Sequence, residues 1–229
     1  MNGARLALLV AIGLALSALF ASAQDLTRYR AYALESSFDT VMAISGARAA
    51  DAKILHVRPA RIQQIEWRAP YARIDDDQAD PVRQLTFSFV DDALYQVIVS
   101  YDRSRTDGLT NADVIGLLTA TYGAPSTLSA RDRASSVNGE SIYDTVVVAR
   151  WETSTASLTL LRAAYTPEFQ LVLVSKPLNT RAQNAIREAA RLDALEAPQR
   201  AVAQQKKETA DADAAREKAR TTNKAAFRP

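Results

Sequence analysis

Two short runs, 74 residues apart, start and stop a helix in the same way, and each is followed by three strand-like segments. In "TNADVIGLLTATYGAP" (110–125), the Thr110 hydroxyl is placed to accept from the backbone N–H of Asp113. The Asp113 carboxylate falls in the first turn, where the helix dipole favours negative charge. This Thr-x-x-Asp order has the form of a capping box. Val114, Leu117, Leu118 and Thr121 then recur at helical spacing, and Gly123 and Pro125 mark the stop. "SSFDTVMAISGA" (36–47) repeats the order with Ser36-x-x-Asp39 as the start, Phe38, Val41, Met42 and Ser45 at helical spacing, and Gly46 near the end. Each of these residues has a job in building a helix, so neither run is read as a ligand site.

After the first helix come "RIQQIEWR" (61–68), "RQLTFSFV" (83–90) and "ALYQVIVSY" (93–101). After the second come "TVVVARWE" (145–152), "TASLTLLR" (155–162) and "EFQLVLVS" (168–175). All six are rich in β-branched and aromatic residues with partial alternation, the pattern of half-buried strands. Asp91-Asp92 fits a tight hairpin turn, though without the usual glycine, and "KILHV" (53–57) is a further strand candidate. Helices followed by hairpins predict an α+β fold with an antiparallel sheet and helices on one face, read either as tandem αβββ units (30–102 and 103–176) or as two ordinary α+β segments alike by accident. Beyond it, 177–197 reads as a C-terminal helix packed at the edge of the body. Residues 198–229 form a basic, alanine-rich tail too poor in large apolar residues to fold alone, and so either disordered or a solvated helix.

This order resembles the tandem modules of β-lactamase-inhibitor-protein-like proteins and the single module of SmpA/OmlA-type envelope lipoproteins. The likeness covers residues 30–176. It rests on the element order, the helix starts at Ser36 and Thr110, and Gly46 and Gly123. The resemblance implies a capped helix laid before a short antiparallel sheet, and a role in protein–protein binding.

The first residues bear on location. Arg5 precedes an apolar run from Leu6 to Ala21, and Ala21-Ser22-Ala23 has the small-x-small form of a signal-peptidase site. The run is shorter than the roughly 20 residues of a spanning helix. The expectation is a signal peptide over 1–23, cleavage after Ala23, and a periplasmic or secreted product with no membrane insertion afterwards. The sequence has no cysteine, which excludes disulfides, a thiol nucleophile and thiolate metal sites. Residues 24–197 carry 19 Lys and Arg against 22 Asp and Glu, whereas 198–229 carry 8 against 4. Neither balance suits nucleic acid, but the basic tail is suited to contact with an anionic surface.

Groups able to do chemistry are sparse. His56 is the single histidine, in a strand-like segment with no Gly-x-Ser-x-Gly elbow anywhere in the chain. Asp75, Asp77 and Asp80 form the densest carboxylate group, but the spacing and glycine of a calcium-binding loop are missing, so a cation there is the minor reading. Asp102 and Asp107 bracket a polar turn. Arg61, Trp67, Arg68 and Tyr71 interleave arginine with large aromatics, a composition typical of interface hot spots. Trp67 and Arg68 have opposite parity, so within a strand they face opposite sides; the plainer reading puts Trp67 in the core and the arginines in water, and a partner-binding face is the other. The sequence therefore points to a non-catalytic protein-binding module of the cell envelope, with an envelope protein as partner, no catalytic residues and no cofactor. A hydrolase of cell-wall or surface polymers and a calcium-binding surface protein are the alternatives.

Overall fold

Two three-stranded meanders meet edge to edge. The computed structural model describes residues 25–70, 80–128, 145–164, 166, 168–226 and 228. In chain order the elements are β1 (Arg28–Tyr29), β2 (Tyr32–Ala33), α1 (Phe38–Ser45), a 3-10 turn (Ala49–Asp51), β3 (Lys53–His56), β4 (Ile62–Arg68), β5 (Val82–Val90), β6 (Ala93–Tyr101), α2 (Arg103–Thr106), α3 (Asn111–Tyr122), β7 (Thr145–Glu152), β8 (Ala156–Ala163), β9 (Phe169–Ser175) and α4 (Lys176–Ala226). β1 and β2 pair with each other. The other seven strands form one antiparallel sheet in the order β3-β4-β5-β6-β9-β8-β7. The α+β class expected from the sequence is observed. Each of the six strand-like segments is a strand to within one residue at either end, and Lys53–His56 adds a seventh.

The sheet is held by rows of apolar neighbours that cross it strand by strand. Ile65, Phe87, Val97, Leu173, Leu158 and Trp151 stand opposite one another in succession from β4 to β7. All six are buried. The adjoining row runs Trp67, Leu85, Val99, Leu171, Leu160 and Ala149. Alternation sends these side chains to one face, where α1 covers them through Phe38, Val41 and Met42 and α3 through Val114, Ile115 and Leu118. Phe38 meets Phe89 edge to face, with ring centroids 5.2 Å apart.

Local signals act as the sequence implies, with one shift. Thr110 caps α3: its Oγ1 accepts from the Asp113 N–H at 3.2 Å, and the Asp113 carboxylate accepts from the Thr110 N–H at 2.8 Å. For α1 the cap is Ser37, not Ser36, with its Oγ accepting from the Thr40 N–H at 3.2 Å. The cause is tertiary. The Ser36 carbonyl accepts from the Leu94 N–H at 2.9 Å, and Ser37 bridges to Ala93, so the chain is still extended at Ser36.

The β5–β6 turn is the meeting point of four segments. Asp91 (φ 44°) and Asp92 (φ 74°) both take the positive φ of a type I′ hairpin. The Asp91 N–H donates to the Arg61 carbonyl and Asp91 Oδ1 accepts from the Arg61 N–H, both at 2.9 Å. Arg181 of α4 pairs with the other Asp91 oxygen. The Phe38 N–H at the start of α1 donates to Asp92 Oδ1 at 3.2 Å. Carboxylates here do what glycine cannot: they accept hydrogen bonds, which offsets the backbone strain.

α4 departs from its expected place. Its first turns lie on the sheet face opposite α1 and α3 rather than at the edge, with Leu178, Ala182, Ala185 and Ile186 over Ile62, Val90 and Tyr95. Alanine at the contact positions lets the helix backbone approach the sheet closely. The helix then runs through Pro198 to Ala226 without a break, so the tail is a solvated helix over the described residues. Beside the proline, the Arg200 guanidinium donates to the Asp193 carbonyl at 3.0 Å and its carboxylate at 2.9 Å. Every residue from Ala197 to Ala226 is exposed. Among the described residues, no helix is long and apolar enough to cross a membrane.

Leu171 is fully buried where the two meanders join. Leu171→Ala is expected to cost about 2–5 kcal/mol in urea unfolding, whereas Gln204→Ala on the exposed helix should fall within about 0.5 kcal/mol of the parent.

Candidate functional site

The interleaved arginines and aromatics are placed by β4, and the strand separates them. Arg61 precedes β4, its backbone tied to the Asp91 turn and its side chain exposed. Trp67 is half-buried against the helix-covered core. Arg68 is exposed and points to the other face, with Nη2 3.2 Å from the Glu66 carboxylate. Seven residues of strand put Arg61 and Arg68 roughly 23 Å apart. Tyr71 lies outside the described residues, as do Asp75 and Asp77.

Asp80 is held within the protein. Its carboxylate takes both guanidinium nitrogens of Arg30, with Nη2 to Oδ1 at 2.9 Å, and accepts the Val82 N–H at 2.9 Å. The Arg30 hydrogen bond holds the Asp80 carboxyl below the usual carboxylate range. Among the described residues, no three His, Cys, Asp or Glu side chains are grouped to hold a metal ion. Asp102 caps the short α2, accepting from the Ser104 N–H at 2.8 Å and hydroxyl at 2.6 Å. These bonds hold its carboxyl low. Asp107 is the residue that ends that helix. His56 lies on β3, the edge strand, half-buried.

Sequence reasoning missed a tyrosine cluster. Tyr29 is buried, and Tyr101 and Tyr122 are half-buried close to it. Arg30, at positive φ (53°) in the β1–β2 turn, carries its guanidinium over the Tyr29 ring, 5.3 Å from the centroid. Asp25, Arg28, Leu118, Thr121 and Tyr122 help to line a half-open hollow of about 330 Å³ beside this group. Burial pushes the Tyr29 phenol well above its ordinary value, raises that of Tyr101, and takes Tyr122 up to about 12. Neutral phenols supply hydrogen bonds and aromatic surface, not acid–base chemistry near neutral pH. The tyrosines are separated widely in the sequence, and only the "RYRAY" turn (28–32) hinted at the site.

Three exposed apolar residues lie close together elsewhere. Ile54 (50% exposed), Leu55 (39%) and Val57 (72%) lie on and just after β3. Arg58, next in sequence, pairs with Glu196 of α4, which brings the exposed Leu195 into the same neighbourhood. Comparisons with protein-family models, with curated proteins and with solved structures find no match to this chain.

The raised Tyr122 phenol has a consequence in alkali. A folded pKa above the unfolded value of 10 contributes stability that is intact below pH 10 and lost as pH rises towards 12. Urea midpoints for the parent are expected to fall steeply across that window, and those of Tyr122→Phe less steeply.

Proposed function

We propose that this chain is a non-catalytic protein-binding module of the bacterial cell envelope, exported by its N-terminal segment. The observation that carries this reading is the projecting part of α4. From Ala197 to Ala226 the helix is exposed at every residue, a length of about 45 Å at 1.5 Å per residue. A helix that is polar all round and buries nothing against its own chain is suited to bridging or contact with another macromolecule. Internal pairs such as Arg216–Asp213 and Arg220–Glu217 support it locally.

Two further features fit. The Arg58–Glu196 pair and the packing of Ala182, Ala185 and Ile186 fix the root of the arm to the sheet, so its direction is set by the body. The basic excess of 198–229 adds attraction for an anionic partner surface, acting over about 8–10 Å at ordinary ionic strength. Asp102, the acid that a hydrolase reading would need, is engaged in capping. The resemblance to envelope binding modules over residues 30–176 points the same way.

Affinity capture from the native envelope tests the reading. The chain beginning at Gln24 should retain a defined partner that a chain ending at Ala197 loses, while Asp102→Asn and Asp107→Asn retain it. Turnover of an envelope polymer abolished by those two substitutions would overturn the reading.

A further inference from the structure

The edge strand β3 carries an inference independent of the arm. In an antiparallel ladder, successive residues direct their backbone groups to alternate neighbours. The Arg61 carbonyl accepts from Asp91 and the Ala69 N–H donates to the Arg83 carbonyl, so odd positions of β4 face β5 and even positions face β3. Ile62 and Gln64 therefore bond through their partners His56 and Lys53. Ile54, opposite Gln63, directs its N–H and C=O away from the sheet. Among the described residues, nothing hydrogen-bonds to it on that side.

An open edge flanked by Ile54, Leu55 and Val57 is the kind that sheets ordinarily keep covered. The far edge is treated differently. There Ser126 lies along β7, its N–H donating to the Arg150 carbonyl at 2.7 Å. Among the described residues β7 is met at Arg150 alone, and an isologous contact through β3 uses that edge up and stops at two copies.

The charges along the strand favour a self-pairing. Asp51 stands at its N-terminal end and Arg58 at its C-terminal end, so an antiparallel arrangement sets each acid beside the other copy's arginine. Asp51 already holds Arg48 at 3.0 Å and Arg58 already holds Glu196, so the cross pairs extend existing networks. Lys53 is on the face shared with Gln64, exposed to solvent. We propose that a second copy of this chain pairs with β3, antiparallel about a two-fold axis near Ile54 and Leu55. The irregularity between Ile54 and His56 keeps the ladder short. The apolar side chains then supply most of the contact, and the dimer depends on concentration.

Sedimentation of the chain beginning at Gln24, across a wide concentration range, tests the proposal. The mass should rise from one copy to two. Ile54→Pro removes an N–H that its own sheet does not use, and Val57→Lys places a charge on the patch. Both should remain monomeric with a parent-like thermal transition, while Val146→Lys at the other edge still dimerises. The chain has no cysteine, so Leu55→Cys should oxidise to a covalent dimer and Val146→Cys should not. A chain monomeric throughout the range would overturn the proposal. So would a dimer that survives Ile54→Pro and Val57→Lys, or a Leu55→Cys chain that fails to crosslink.

Discussion

Val97 opposite Leu173 and Val99 opposite Leu171 join residues more than seventy positions apart, and through them β6 and β9 make one sheet of two meanders. Each meander alone would leave a long apolar edge open to water. Together they place both strands in the middle of the sheet, each with a neighbour on either side. The rows from Ile65 to Trp151 and from Trp67 to Ala149 exist only because this join sets the register. α1 and α3 lie over those rows, so their packing depends on it as well.

The position of the arm is a second consequence. β9 ends at Ser175 and α4 begins at Lys176, so the helix leaves from a central strand rather than from an edge. It crosses the face that α1 and α3 leave open, passes Asp91 through Arg181, and reaches the β3 side at the Arg58–Glu196 pair. Beyond that pair every residue from Ala197 to Ala226 is exposed. The exposed arm and the apolar edge strand thus adjoin each other, and both belong to the β3 side of the molecule.

The strands were legible because each is a short β-rich run bounded by turn residues, and α3 was legible because Thr110, Asp113 and Gly123 act within a few residues of each other. The start of α1 was misread by one residue because Ser36 is captured by Leu94, a contact that local pattern does not carry. The path of α4 was hidden for a similar reason. Its apolar stripe is mostly alanine, which records close approach but not which face is approached. Of the candidate site, the opposite facing of Trp67 and Arg68 followed from strand parity; Arg61 shares the parity of Trp67 and is exposed because it lies just before β4. The grouping of Tyr29, Tyr101 and Tyr122 did not follow from local pattern, since it depends on the β1–β2 turn folding back under α3.

The central claim, that the β6–β9 join holds both meanders as one unit, is tested most directly by native-state amide hydrogen exchange. The amides of Val97, Val99, Leu171 and Leu173 should be among the slowest, and the interiors of β5 and β8 should exchange with the same opening free energy as the global transition. If β4–β6 and β7–β9 instead open with clearly different free energies, the two meanders are independent units and the account fails.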